Sequence, residues 1–158
     1  MKIFTAKTFT IPKLVGISEK NIEEHFKLYS GYIKHANLII EKVIEYKQDA
    51  EKHAYALGEI MRRFGFEYNG IRNHELYFSS LEGGPTGLTE ASKLKAAITE
   101  EWGSFENWLM EFKAISLTRG IGWAILYYDR TDKRLLNAWI DEQHLGQLQD
   151  CTPVIGLD

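Results

Sequence analysis

Cysteine and proline are scarce in this chain, and their scarcity already removes several possibilities. One cysteine, Cys151, stands among 158 residues, so an internal disulfide is excluded and a reducing, cytoplasmic setting is expected. Three prolines leave long stretches free to be helical. No apolar run approaches the roughly 18 residues of a membrane span, and the start Met1-Lys-Ile-Phe-Thr-Ala-Lys7 lacks the apolar centre of a secretory signal. Nor is there an excess of positive charge. With 19 basic and 22 acidic residues the formal net charge is -3, and no basic run offers nucleic acid or an anionic membrane a local attraction. Any steering of a small anion must therefore be local. The chain also lacks His-Glu-x-x-His, paired cysteines, a phosphate loop and Gly-x-Ser-x-Gly, so a site must be assembled from distant segments.

What is present reads as an α+β protein. Residues 1 to 17 carry Pro12 and Gly16 and no helical period, which predicts an extended arm. Ser18 is placed to cap a helix, with Glu19 and Glu23 in its first turns. From Ile22, apolar positions Phe26, Tyr29, Ile33, Ala36 and Ile40 recur at threes and fours, the signature of an amphipathic helix. A reversal is expected between Glu45 and His53, then a second helix from Ala54 to Phe64 and a third, short one from Tyr68 to Leu81. Three glycines and a proline lie in the six residues Glu82 to Gly87 and cannot propagate regular structure. This divides the chain into a helical hairpin lobe, 1–82, and an α/β lobe, 88–158. In the second lobe a helix capped by Thr89 should run to Glu101 and another, opened by Ser104, to Leu117. Strands then follow over Trp123 to Tyr128, Leu135 to Ile140 and Thr152 to Asp158, forming a three-stranded antiparallel sheet.

Among the five histidines, His35 and His53 sit in polar company and read as solvated. His25 and His74 lie on the aromatic faces of their helices. A buried imidazole there must find a hydrogen-bond partner or a metal, and pattern alone places a satisfied core histidine ahead of a ligand. Tyr29, Tyr32, Tyr77, Phe78 and Trp123 are likewise explained by a core before any function is invoked.

Four separated segments shift that balance. They are His25-Phe-Lys-Leu-Tyr-Ser-Gly-Tyr32 with Asn37; Asn69-Gly-Ile-Arg-Asn-His74-Glu-Leu-Tyr77-Phe78; Trp102-Gly-Ser-Phe-Glu106 with Thr118-Arg-Gly120 and Gly122-Trp-Ala124; and Trp139-Ile-Asp-Glu-Gln143-His144-Leu-Gly with Thr152-Pro153 and Gly156-Leu-Asp158. In order and spacing they resemble the iron/manganese superoxide dismutase family over essentially the whole chain. The resemblance implies that His25, His74 and Asp158 are metal ligands for iron or manganese. It implies that Tyr32 is the gateway tyrosine of the substrate funnel and Trp123 an aromatic wall. Gln143 takes the position that hydrogen-bonds the metal's solvent ligand, with His144 as the neighbouring choice of register.

Departures accompany the match. In the family the aspartate is followed by Trp-Glu-His, whose histidine is a fourth ligand and whose glutamate bridges to a dimer partner, and by two closing helices. Here the sequence stops at Asp158, so the resemblance predicts a C-terminally incomplete lobe, a homodimer only in a complete protein, and low activity for this chain alone. Leu28 and Tyr29 stand where histidines are common, and the His25-to-Tyr32 spacing is one residue shorter than usual. Gly70 replaces the glutamine of many iron enzymes, which leans the metal toward manganese.

The expected function is a superoxide dismutase, an antioxidant oxidoreductase with superoxide as substrate and neither nucleic acid nor membrane as partner. The alternative is an inactive or metal-poor homologue with a structural or binding role. A facial-triad oxygenase shares the ligand count, but no cosubstrate-binding feature accompanies it.

Overall fold

The computed structural model describes residues 2–158, and among them four α-helices and one three-stranded sheet form an α+β fold. Helix α1 (Glu19–Tyr46) begins where the Ser18 hydroxyl accepts from the Asn21 amide at 3.1 Å, satisfying one of the free amides of the first turn. A 3-10 turn, Lys47–Asp49, leads into α2 (Ala54–Leu81), which returns along α1. Helix α3 is Lys93–Trp102 and α4 is Phe105–Ser116.

Two expected boundaries differ. The second and third helices of the hairpin lobe are one continuous helix, because Phe64, Ile71 and Phe78, each seven residues from the next, keep a single apolar stripe through the expected break. Gly65 costs that helix some propensity, and the His144 ring lies near it at a distance, 3.7 Å from the Cβ position, that a methyl group would also fit. Helix α3 is capped by Ser92 rather than Thr89: the Ser92 hydroxyl accepts from the Lys95 amide at 3.3 Å, while the Thr89 carbonyl closes the preceding turn. Ser104 caps α4, accepting from the Asn107 amide.

The sheet has order β2-β1-β3, all antiparallel, with β1 Gly122–Asp129, β2 Arg134–Asp141 and β3 Cys151–Leu157. β1 is central and covered on both faces, so its sequence reads as an unbroken apolar run rather than an alternation. Trp123, Ile125 and Tyr127 pack in one cluster with the helical hairpin, and Ala124 and Leu126 pack in another with α3 and α4. The period of two thus sorts successive residues onto different cores. The N-terminal arm is fastened by Asn37, whose carboxamide accepts from the Phe4 amide at 2.8 Å and donates to its carbonyl at 2.9 Å.

β3 lies against α2 at Gly156, where a Cβ would come within 3.0 Å of Leu76. This close approach carries Asp158, two residues on, toward the buried face of α2.

Candidate metal centre

His25 and His74 project from facing helices with ring centroids 6.0 Å apart. His25 Nδ1 lies 2.8 Å from the Asn21 carbonyl and His74 Nδ1 lies 2.7 Å from the Gly70 carbonyl. A carbonyl only accepts, so each Nδ1 carries the proton and each Nε2 is left with its lone pair. Those lone pairs converge on one atom. Asp158 Oδ2 is 3.2 Å from His25 Nε2 and 3.8 Å from His74 Nε2.

Three facing acceptors repel unless a cation or a proton sits among them. A proton shared between His25 and Asp158, 3.2 Å apart, would join those two. His74 resists one: burial holds its pKa down to about 4, with the Gly70 hydrogen bond opposing the shift and the nearby His25 adding to it. Its Nε2 is buried and has no hydrogen-bond partner, and such an orphan calls for an explanation. Burial raises the Asp158 pKa, with His25 acting in the opposite sense.

Among the described residues no group of three or more His, Cys, Asp or Glu side chains is closed enough to hold an ion as it stands. The spacing is nevertheless near that of shared ligands. Two donors each about 2.1 Å from one ion lie about 3.0 Å apart at a right angle and about 3.6 Å apart at 120°. The observed 3.2 and 3.8 Å fall close to that interval, so the donors fit a small divalent or trivalent ion after slight adjustment.

The surrounding wall is aromatic. Trp123, fully buried, meets the His74 ring edge-on at 5.1 Å, and Tyr77 lies 5.4 Å from His25. Tyr32 packs 5.2 Å from His74 and 5.7 Å from Phe66. Burial, then the Asp158 and Glu67 charges, raise its phenol pKa and keep it protonated. The Tyr32 ring occupies the space that a side chain at Gly70 would need, 2.6 Å from the Cβ position.

Gln143 is buried and its Oε1 accepts from the Trp123 indole at 2.8 Å. His144 meets Phe66 edge-on at 5.6 Å, and its Nδ1, like His74 Nε2, is buried without a hydrogen-bond partner. The loop is held by Asn73, whose amide donates to the Gln143 carbonyl at 3.2 Å. Sequence reasoning passed over Asn73, as it did Glu75; a polar or acidic residue directly flanking a histidine on an aromatic helix face is the signal that marks both.

Two imidazoles and a carboxylate set between a helical hairpin and a small sheet are a donor set of the type that suits iron or manganese. Residues 90–158 match the family described as iron/manganese superoxide dismutases, C-terminal domain. The superoxide dismutase [Fe] of Cupriavidus metallidurans is 37% identical over 149 residues, covering 92% of this chain and 73% of that protein. The superoxide dismutase [Fe] of Aquifex aeolicus is 34% identical, covering 92% and 70%. The superoxide dismutase [Mn] of Mycolicibacterium smegmatis is 31% identical, covering 95% and 76%. The chain belongs to the iron/manganese superoxide dismutase family.

Proposed function

We propose that His25, His74 and Asp158 hold the iron or manganese ion of a superoxide dismutase, with Tyr32, Gln143 and Trp123 shaping the reaction around it. The observation that carries this is the buried, unpartnered His74 Nε2 aimed, together with His25 Nε2, at Asp158 Oδ2.

The net reaction converts two superoxide ions and two protons into dioxygen and hydrogen peroxide. When bound, the ion supplies the one-electron chemistry, alternating between two oxidation states. The protein supplies position and protons. The Gln143 amide, with its oxygen on the Trp123 indole, presents its NH₂ end as the one able to donate within the pocket, and such a donor tunes a metal's potential. Tyr32, packed 5.2 Å from His74 and protonated at neutral pH, serves as proton donor and gate. Trp123 excludes water from one side.

Outside Tyr32 lies a cavity of about 320 Å³ that also takes in Lys27, His35, Arg63 and Phe66. The Arg63 guanidinium stacks 3.5 Å over the Phe66 ring. Glu24 and Glu67 line the same cavity, paired with Lys27 at 2.7 Å and with Arg63 at 2.9 Å, so its cations are compensated and offer an anion little net attraction. Among the described residues no helix is long and apolar enough to cross a membrane. The single thiol fits a reducing, cytoplasmic setting for an antioxidant role, and the family resemblance supports a homodimer of the complete protein.

Metal analysis and a superoxide assay on the full chain, with H25A, H74A and D158N beside it, test the proposal. All three variants are expected to lose iron or manganese and activity together. Full metal content in H74A would overturn the assignment.

A further inference from the structure

Beside the donor cluster lies a second buried polar group. Glu75 directly follows His74 and is almost wholly enclosed, its side chain 9% exposed. Its carboxylate is nonetheless fully engaged. Oε1 accepts from the Tyr29 hydroxyl at 3.1 Å, and Oε2 accepts from Lys7 Nζ at 2.8 Å and from Arg72 at 2.7 Å. The Tyr29 hydroxyl in turn accepts from the Lys7 backbone amide at 3.0 Å. Tyr29 is 1% exposed and sits one helical turn beyond His25 on the same face of α1.

A single hydrogen bond therefore joins α1, one turn from His25, to α2, one residue from His74, and the N-terminal arm closes over it. Among the described residues this is the one side-chain hydrogen bond between these helices; beside it they meet through aromatic packing, Tyr32 on His74 and Phe26 on Phe78, which carries no directional polar tie. A slip of α1 would take the Tyr29 hydroxyl from an almost enclosed carboxylate, which keeps Arg72 of its own helix but loses its one tie to α1.

We propose that Tyr29 and Glu75, completed by Lys7 from the arm, are positioning residues for the metal site: they lock the register of α1 against α2 and so hold the His25 and His74 rings at the separation the ion requires. This rests on the reading of His25 and His74 as donors, and it gives Lys7, held by its own bonds to Tyr29 and Glu75 and not by the Asn37–Phe4 pair, a part in setting metal affinity. The clasp touches neither the ion nor the substrate.

The test is a Co²⁺ titration of the full chain against a competing chelator, following the visible Co²⁺ absorption, in the parent, Y29F, E75Q and N37A. N37A serves as control because it removes two arm hydrogen bonds at Phe4 away from both histidines. Y29F, which deletes one hydroxyl, keeps the test readable if E75Q fails to fold. Y29F is expected to bind Co²⁺ about tenfold more weakly, with an altered absorption band, and E75Q at least as weakly, the range seen when groups supporting ligands are removed. N37A should lose thermal stability yet keep the parent's affinity and band. Unchanged affinity in Y29F, or equal weakening in N37A, would overturn the proposal. The imidazole Cε1–H NMR signals of His25 and His74 in the metal-free chain give a separate readout. They should be single and sharp in the parent and N37A but doubled or broadened in Y29F. A parent that binds no Co²⁺ would sink the donor assignment, while these signals would still decide whether the clasp fixes the two rings; identical spectra in Y29F and the parent would refute it.

Discussion

Replacing Gly70 by alanine isolates the contact that sets the Tyr32 ring beside His74. An added Cβ would lie 2.6 Å from Tyr32 Cγ and Cδ1 and 2.9 Å from Cδ2, whereas carbon atoms rest about 3.5–4.0 Å apart. The ring must retreat by about 1 Å, and it is flanked by His74 at 5.2 Å and Phe66 at 5.7 Å. Overpacking of this kind costs about 1–3 kcal/mol. Opposing it, glycine to alanine inside a helix gains about 1 kcal/mol. Gly58 lies in the same helix with nothing within 4 Å of its Cβ position, so G58A receives the gain without the clash. The two variants should differ by the clash alone, and at about 2–4 °C per kcal/mol for a chain of this size the gap between their melting temperatures should be about 2–12 °C, G58A above the parent. Thermal unfolding followed by circular dichroism reads this directly. In a Y32A background the clash partner is gone, and the gap should close. G70A should also lower superoxide turnover, because the displaced ring moves its hydroxyl. A G70A protein as stabilised as G58A, or a gap that survives Y32A, would show that the Gly70–Tyr32 contact does not set the ring's place.

Acid should destabilise the metal-free chain through His74. Its folded pKa of about 4 lies below the ordinary 6.5, so the unfolded chain binds the extra proton between these values, and stability is full above pH 6.5 and falls by about 3 kcal/mol toward pH 4. In H74L that part of the pH dependence should vanish in denaturant titrations; an unchanged profile would place the acid sensitivity elsewhere. Q143A strands the Trp123 indole N–H and should cost about 1–3 kcal/mol, with dismutation falling further than metal content. S104A removes the cap of α4 and should cost about 1 kcal/mol by urea unfolding with metal binding unchanged; a drop in metal content would mean that α4 reaches the site.

Much of the fold was legible because it is local. Serine caps, the threefold and fourfold spacing of apolar residues along α1, and the glycine-rich break after Leu81 act within a few residues of themselves, as do the turns that close the sheet. The errors were local competitions decided at a distance. Phe64 to Tyr68 reads as a break in propensity but is held helical by continuous burial of one stripe, and Ser92 wins the cap from Thr89 by its hydrogen bond to Lys95. Sequence also singled out His25 and His74 as histidines on aromatic faces, without saying what answered them.

What the amino-acid order alone determined is therefore the set of amphipathic pieces and the residue types available for chemistry. Only the tertiary structure decided which lone pairs face one another. Asp158 comes to the two histidines because Gly156 lets β3 approach α2, and Glu75 is a buried charge with partners because Tyr29 and the arm close on it. These are meetings between residues dozens of positions apart, set by packing and the need to satisfy enclosed polar groups, for which no spacing along the chain carries a signal.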